Sequence, residues 1–328
     1  MNFLKAFNEW AYESFKKYGW YKTIWESHRR IKFAIKLKNS HFVFLSSLGI
    51  TEKKRKSLEN NKIWKKESPH LTVYGLGKKT GQTVVVNLKE PDLFRLDDVL
   101  LFDLFSSCAV KIDYGLFKDE LLRCACPAET REQRYYKHCE SLLNFYLNNY
   151  GHQKDKCTIP QAFLDMYKYA IARVRGNSVL DVGSCIAAFP ILLKLKIPDS
   201  EVTASDYNYG YLDVFATRYC KKNNIDIRFK KLDILSPDHK ECYDTVTTIH
   251  TLEHFEEKDN AAVINNLVKI TNKRLIMIVP FEDFITIKDH RQTLNKEKLE
   301  KIALESGLPC KIEKISRWNY SLIIDTDK

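Results

Sequence analysis

The sequence predicts an α/β fold for residues 160–328, with a mostly parallel sheet covered by helices on both faces. Short apolar runs of strand length alternate with helical segments, and each connection is long enough for a right-handed crossover. The chain ends on a helix and two strands joined by Trp-Asn-Tyr, which indicates that the last strand is antiparallel. The preceding residues are predicted to form a mainly helical α+β region.

The N-terminal region is predicted to open with two amphipathic helices in its first forty residues, separated at Gly19. Residues 51–67 are highly charged and predict an exposed helix or loop. The polar segment 151–160 ends in proline and predicts the boundary between a domain at 1–155 and a domain at 156–328. The other elements predicted in this region are a β-hairpin at 70–76 and 82–88 and helices at about 114–123 and 128–150.

The second domain is predicted to alternate regularly between strand and helix. Its helices are predicted at 160–176, 190–197, 211–224, 261–271 and 296–307. Its strands are predicted at 178–184, 201–207, 226–234, 243–250, 273–280, 309–318 and 320–326.

Composition places the chain among soluble globular proteins, because 44% of its 328 residues are hydrophobic and 29% are charged. The longest apolar stretch, 98–110, is short and is interrupted by Asp103, so we expect no membrane-spanning helix. The N-terminus lacks the pattern of a secretory signal. The nine cysteines are odd in number and form no CxxC pair, which favours reduced thiols and a cytoplasmic protein.

Positive charge is concentrated at the N-terminus. Residues 1–70 contain 16 Lys and Arg against 6 Glu, out of a net charge of +11 for the chain. Such a region can attract RNA, a lipid surface or an acidic substrate, or can be no more than a solvated basic face. The aromatic, basic helices within 1–38 either contact a membrane peripherally or dock on the protein's own core.

The segment SVLDVGSCIAAFPI, residues 178–191, predicts a strand that turns into a helix. In such sheets, ligands bind at the carboxyl ends of strands, where the turn must allow a close approach. Gly183 meets that need, and Ser184, Cys185 and Ala187 are small enough to leave room. This predicts a nucleotide turn that has lost two of the usual glycines.

Acidic and imidazole side chains follow the other strands of the predicted sheet. Asp206, followed by Tyr207, ends the second strand 23 residues after Gly183, where a carboxylate can accept hydrogen bonds from a ribose diol. Asp233 ends the third strand and is placed to meet a base amino group. His250, Glu253 and His254 follow the fourth strand, at the mouth of the predicted site.

At these residues the chain resembles the class I S-adenosylmethionine-dependent methyltransferases, within them the small-molecule "type 11" branch. The resemblance covers about 160–328 and includes IHTLEHF at 249–255, whereas 1–155 resembles no family that we can name. It implies a Rossmann-like methyltransferase sheet and S-adenosylmethionine as cofactor. The residues implied to contact that cofactor are Asp181, Gly183, Ser184 and Cys185 near the methionine portion, Asp206 and Tyr207 at the ribose, Asp233 and Ile234 at the adenine, and His250.

Transfer to a hydroxyl also requires a base, because the acceptor must lose a proton. His250, His254 and His290 are the candidate catalytic bases, since imidazole titrates near neutral pH. His254 is equally interpreted as a structural hydrogen-bonding residue. His250, Glu253, His254 and His290 also resemble, with histidine in first place, the metal-binding cluster of the small-RNA 2′-O-methyltransferases; relatives without metal share much of this pattern.

Three hypotheses for function remain from the sequence. We expect a methyltransferase that O- or N-methylates a small-molecule or glycan-type acceptor, which its basic region would help to recruit if the acceptor is anionic. The first alternative is an RNA methyltransferase whose residues 1–70 grip phosphates. The second is a non-catalytic sensor or scaffold that binds S-adenosylmethionine. The sequence does not determine the oligomeric state.

Overall fold

The computed structural model describes ten stretches of the chain, and the predictions for residues 1–38 lie outside them. These stretches are 41–46, 52–67, 71–76, 83–88, 114–126, 129–151, 158–236, 239–281, 290–316 and 319–326. The chain divides into two compact units, Met1–Arg131 and Glu132–Lys328. No helix among the described residues is long and apolar enough to cross a membrane.

The first unit contains a four-stranded sheet of order β1-β4-β3-β2. The predicted hairpin is confirmed, because β3 and β4 pair antiparallel from Leu71↔Leu88 to Leu76↔Thr83. β1 pairs in parallel with β4, and β2 is antiparallel to β3. The bounds are β1 His41–Ser46, α1 Glu52–Asn61, β2 Lys62–Glu67, β3 Leu71–Leu76, β4 Thr83–Leu88 and α2 Tyr114–Ala125.

Strand β2 corrects the expectation of an exposed helix or loop over all of 51–67. Helix α1 ends at Asn61, and KIWKKE pairs with β3. Lys62 and Lys65 obscure the strand pattern, because they are exposed and make charge contacts with Glu59 instead of core contacts. Lys65, for example, lies 2.8 Å from Glu59, and this pairing is the kind that an edge strand uses.

The second unit contains a seven-stranded sheet of order β10-β11-β9-β8-β5-β6-β7. Strands β5 to β9 pair in parallel, whereas β11 is antiparallel to both β9 and β10, as the sequence predicts. The strands are β5 Ser178–Val182, β6 Glu201–Asp206, β7 Arg228–Lys231, β8 Tyr243–Ile249, β9 Thr271–Pro280, β10 Cys310–Lys314 and β11 Asn319–Asp325. The main helices are α3 Arg131–Asn149, α4 Ile159–Ile171, α5 Ala188–Lys196, α6 Arg218–Asn223, α7 Asn260–Lys269 and α8 Lys296–Ser306.

The strand order places the site. The chain runs from β5 outward through β6 and β7, then returns to the other side of β5 as β8. The carboxyl ends of β5, β6 and β8 therefore lie side by side where the direction of winding reverses, the usual position for ligand binding in such sheets. Buried residues such as Leu180, Val246 and Leu275 form the core behind this edge.

Helix α3 packs within the second unit. The ring of Tyr146 meets that of Tyr167 on α4 at 5.2 Å, and Tyr136 meets Phe215 at the same distance. The division between the two compact units falls after Arg131, before the predicted domain boundary at 155. The domain boundary at 155 stays a prediction.

The segment predicted as one helix at 211–224 is only partly α-helical. Leu212–Thr217 form a π-helical turn before α6. Phe215 and Ala216 are fully buried there. The apolar spacing identifies a helical segment but does not distinguish a π turn, which depends on how the buried side chains pack.

Candidate functional site

The loop after β5 is fastened to the end of β6 by its own backbone. The amides of Gly183 and Ser184 both donate to the carbonyl of Ser205, each at 2.9 Å. The hydroxyl of Ser205 donates in turn to the carbonyl of Asp181 at 2.9 Å. The loop is therefore held in one conformation by the neighbouring strand.

Gly183 is required by packing as well as by backbone conformation. Its φ is +78°, and a Cβ at this position would lie 2.5 Å from Oγ1 and 2.6 Å from Cγ2 of Thr251. The Thr251 hydroxyl also donates to the carbonyl of Val182 at 3.1 Å. Thr251 follows His250, so this contact joins the end of β8 to the loop after β5.

Cys185 and Ala187 keep a glycine-like backbone without being glycine. Their φ values are +50° and +53°, in the left-handed region that L side chains rarely adopt. Each such residue costs about 1–2 kcal/mol. The turn that the sequence predicts to have lost two glycines therefore has a left-handed backbone at both of these positions.

Asp206 lies against the same loop. Its Oδ2 accepts the amide of Cys185 and its Oδ1 accepts the amide of Asn208, both at 2.8 Å. Each carboxylate oxygen has two lone pairs, so Asp206 can still accept hydrogen bonds from a ribose diol. This arrangement connects the predicted ribose-binding residue to the loop.

The carboxyl end of β7 lies beside that of β6. Asp206 is opposite Lys231 in the register of these two strands, and the exposed Asp233 follows Lys231 by two residues. Tyr207 is 68% exposed, with its ring 5.7 Å from Nζ of Lys231, and offers an aromatic face beside Asp206. Ile234 belongs to the buried core, so contact of its side chain with adenine stays a prediction.

Asp181 is a buried carboxyl group below the loop. Ser184 Oγ donates to its Oδ2, and Thr247 Oγ1 donates to its Oδ1, both at 2.7 Å. Burial raises the pKa of Asp181 from 3.8 to about 7, and the charge of Asp206 adds to this, while the two hydrogen bonds oppose it. Burial disfavours the charged form of the Asp181 carboxyl group, and a cationic ligand group beside it would favour that form.

His250 is engaged at both ring nitrogens. Its Nε2 lies 2.8 Å from Oδ1 of Asn319, and its Nδ1 lies 3.6 Å from Oε1 of Glu253. Phe163 packs on the ring at a centroid distance of 5.1 Å. Asn319 and Glu253 therefore lie beside the two ring nitrogens, and the role of His250 as a base stays a prediction.

Glu253, His254 and His290 converge just beyond β8. Their ligand-type atoms all lie within 4.8 Å of one another. The two imidazoles meet edge to face, with centroids 5.2 Å apart at 85°. Glu253 is fully buried, His290 is nearly so, and His254 is exposed. Sequence spacing alone does not bring residues 254 and 290 together.

Comparison with known families identifies the domain that contains this edge of the sheet. Residues 179–274, from β5 into β9, match the family described as "Methyltransferase domain". The chain carries a class I methyltransferase domain. Its cofactor is S-adenosylmethionine, and its activity is methyl transfer. No curated protein matches the sequence.

Solved structures of methyltransferases are similar to the chain at low sequence identity. Magnesium protoporphyrin IX methyltransferase from Synechocystis, crystallised with bound SAH, is 14% identical, with a TM-score of 0.41 and coverage of 59% of this chain and 99% of that chain. An O-methyltransferase family protein from Burkholderia thailandensis is 12% identical, with a TM-score of 0.45 and coverage of 62% of both chains.

Sequence reasoning missed several residues that shape the methyltransferase site. Thr251 lies inside the HTLEH segment, and its position after β8 could have indicated contact with the loop after β5. Ser205 and Thr247 are buried polar residues within strands, a pattern that signals a buried hydrogen-bond partner. Asn319, 69 residues from His250, gives no such signal.

The left-handed backbone at Cys185 gives a stability prediction. Cys185→Gly should raise the free energy of unfolding by about 0.5–1 kcal/mol, because glycine relieves the strain at φ +50° but adds freedom to the unfolded chain. Ala187→Gly is the matched control: it relieves similar strain but loses a fully buried methyl group, so we expect a change near zero. Urea unfolding measures both, and an equal gain in the two variants would contradict the explanation.

The buried carboxyl group of Asp181 gives a pH prediction. Its pKa is about 7 in the folded protein and 3.8 when unperturbed, so the folded state holds the extra proton between about pH 4 and 7. The contribution of Asp181 to stability is therefore lost as the pH rises through that window, on the order of a few kcal/mol in total. Asp181→Asn should abolish this loss.

The measurement is the difference in unfolding free energy between wild type and Asp181→Asn at pH 5, 6, 7 and 8. The variant should become relatively more stable as the pH rises. Because carboxyl groups elsewhere titrate in both proteins, the difference isolates Asp181. A difference that stays constant with pH would show that the group does not change its proton occupancy on folding.

Proposed function

We propose that the methyltransferase modifies an oxygen or a nitrogen of a small-molecule or glycan-type acceptor. The observation that carries the proposal is the contact of His254 with His290 just beyond β8, the strand beside the one that holds the predicted cofactor loop. An oxygen or nitrogen acceptor loses a proton when it is methylated. The imidazoles of His254 and His290 are groups that could accept this proton.

Methyl transfer requires few protein groups. A lone pair on the acceptor attacks the methyl carbon, and the carbon–sulfur bond breaks with its electrons moving to sulfur. The products are the methylated acceptor and S-adenosylhomocysteine, and the acceptor's proton passes to a nearby base or to water. The protein chiefly aligns acceptor, methyl carbon and sulfur.

Charge distribution favours a small acceptor over a nucleic acid at the domain itself. Residues 156–328, the predicted methyltransferase domain, contain 26 Lys and Arg against 24 Asp and Glu, so they have almost no net charge. Proteins that track phosphates use a local excess of positive charge. The RNA alternative therefore depends on residues 1–70, most of whose side chains lie outside the described residues.

The test is transfer of labelled methyl from S-adenosylmethionine to separated acceptor pools, one of small molecules and glycans and one of RNA. Label in the first pool supports the proposal. Label in RNA, with affinity that falls steeply with salt, would replace it with the RNA alternative. Cofactor binding without transfer to any pool would favour a sensor or scaffold. In a separate experiment, binding to vesicles that is lost when residues 1–38 are deleted would show that these residues recruit the protein to a membrane.

Histidine variants then locate the acceptor side. His254→Ala should lower kcat by about 100-fold or more while S-adenosylhomocysteine affinity stays unchanged, because the exposed imidazole is not part of the cofactor loop. His239→Ala is the control, since His239 lies in the connection between β7 and β8 and does not belong to the group of Glu253, His254 and His290. An unchanged kcat in His254→Ala would remove this residue from the reaction.

His250 is expected to behave differently. His250→Ala removes the partner of Asn319 and Glu253, so its main effect should be on stability. Thermal unfolding beside the kinetic measurement distinguishes the two roles. A variant that remains as stable as the wild type but loses turnover would restore His250 as the base.

A further inference from the structure

We propose that Tyr167 donates a hydrogen bond to the carboxylate of S-adenosylmethionine and that Tyr146 positions Tyr167 for this contact. The contact concerns the cofactor, so it goes beyond the proposed function and does not depend on which acceptor is methylated. Tyr146 lies on α3 and Tyr167 lies on α4, and both side chains are buried. Neither is among the cofactor-binding residues that the sequence predicts.

Ring contacts hold Tyr167 beside the loop after β5. Its ring meets that of Tyr146 edge to face, with centroids 5.2 Å apart at 85°. It also meets the ring of Phe189, at a centroid distance of 5.9 Å. Phe189 is the second residue of α5, the helix that follows the loop. The two helices and the loop therefore fix the position of the Tyr167 side chain.

The hydroxyl group of Tyr167 stays protonated and can donate. Burial raises its pKa, and electrostatic interactions with Asp181 and Cys185 add to this, while a hydrogen bond with Tyr146 opposes it. The same interactions place the hydroxyl near the Asp181 carboxyl group and the Cys185 thiol. A hydrogen bond that lowers the pKa of a phenol is one that its oxygen accepts, so the hydrogen of Tyr167 is left to donate.

The loop amides near Tyr167 are engaged within the protein. Those of Gly183 and Ser184 donate to the carbonyl of Ser205, and that of Cys185 donates to Asp206. Each N–H supplies one donor. A ligand carboxylate beside the loop would therefore have to find its donor among the side chains.

The hydroxyl groups below the loop are engaged as well. Those of Ser184 and Thr247 both donate to the carboxyl group of Asp181 at 2.7 Å. A hydroxyl supplies one hydrogen, so neither has a second to offer to a ligand. Tyr167 differs from them, because its oxygen accepts from Tyr146 and its hydrogen remains free for a ligand.

The chemistry of the cofactor fits this arrangement. Its amino-acid end carries an ammonium group and a carboxylate on one carbon atom, and the buried carboxyl group of Asp181 favours the ammonium group. The carboxylate then also lies close to Asp181 and Asp206, whose negative charges disfavour it. A hydrogen-bond donor beside the carboxylate offsets this cost, and a bond to a charged acceptor is stronger than one between neutral groups.

Tyr146 acts through Tyr167. A phenol hydrogen rotates about its carbon–oxygen bond, so the donor from Tyr146 occupies one side of the Tyr167 oxygen and directs the hydrogen to another. Removal of the Tyr146 hydroxyl leaves Tyr167 able to donate but less well oriented. The loss of affinity should therefore be smaller than when the Tyr167 hydroxyl itself is removed.

The experiment compares two ligands by calorimetry: S-adenosylhomocysteine and its decarboxylated analogue, which lacks only the carboxylate. Tyr167→Phe should weaken S-adenosylhomocysteine binding by about 10- to 100-fold, the range expected for one hydrogen bond to a charged group. Tyr146→Phe should weaken it by about 3- to 10-fold. Both variants should bind the analogue as the wild type does.

Tyr219→Phe is the matched control, because Tyr219 is a buried phenol on α6 and should change neither affinity. Unchanged S-adenosylhomocysteine binding in Tyr167→Phe, or an equal loss for both ligands, overturns the proposal. Equal loss would show that the hydroxyl only maintains the fold, which thermal unfolding checks independently. Wild-type protein that binds neither ligand overturns the contact together with the cofactor assignment. Methyl transfer to RNA would replace the proposed function and leave the contact intact.

Discussion

Gly183→Ala is expected to lower the free energy of unfolding by about 2–5 kcal/mol and to remove S-adenosylhomocysteine binding. Two costs add: about 1–2 kcal/mol for a side chain at φ +78°, and about 1–3 kcal/mol for its contact with Thr251. Relief of the contact would displace the loop or the end of β8. Either movement disturbs the site, so affinity should fall with stability.

The chain offers a matched control at Gly307, which ends α8. Gly307 has φ +64°, but nothing lies within 4 Å of an added Cβ. Gly307→Ala should therefore cost only the backbone strain, about 1 kcal/mol, and should leave cofactor affinity unchanged. Equal losses of stability at the two glycines would show that the contact with Thr251 contributes nothing.

A double variant tests the contact directly. Thr251→Ala removes the two nearest atoms, so Gly183→Ala should cost less in that background. We expect a coupling energy of about 1–2 kcal/mol between the two sites. Coupling near zero would contradict steric conflict as the cause.

Asp206→Ala is expected to weaken S-adenosylhomocysteine binding by at least about 100-fold. The change removes the predicted acceptor of the ribose hydroxyls, and hydrogen bonds to a charged group contribute about 1.5–3 kcal/mol each. It also removes the acceptor of the amides of Cys185 and Asn208. Calorimetry measures the affinity, and urea unfolding measures the accompanying loss of stability.

Asp226→Ala is the matched control, because it removes an equal charge from an exposed position before β7, at the other edge of the sheet. Asp206→Asn separates the two roles of Asp206. The amide oxygen can still accept one backbone amide, so stability should be largely retained while affinity falls. Unchanged affinity in both Asp206 variants would remove this residue from the cofactor site.

Much of the second unit follows from local pattern. Apolar runs such as SVLDV predict buried parallel strands, and the acidic residue at 206 is predictable because it ends a strand beside the one that carries Gly183. The helix after Asp206 is less predictable, since its π-helical turn depends on how Phe215 packs. The strand at 62–67 is hidden by its lysines.

The sequence predicts a nucleotide turn that has lost two glycines, but it does not give the backbone conformation of Cys185 and Ala187. Both residues have positive φ. The reason is that Ser205 and Asp206 hold the loop amides, so contacts from β6 outweigh local backbone preference. The energy of a few hydrogen bonds exceeds the strain of two residues.

The sequence by itself determined the order of strands and helices in the second unit, the family to which 179–274 belongs, and the presence of a carboxylate and a glycine at the carboxyl edge of the sheet. The tertiary structure decided which side chains meet there: Thr251 with Gly183, Asn319 with His250, and His290 with His254. Periodicity reports only which face of its own element a residue occupies. Contacts between distant segments depend on strand order and on the hydrogen bonds that fix each loop, and these form only when the whole sheet is assembled.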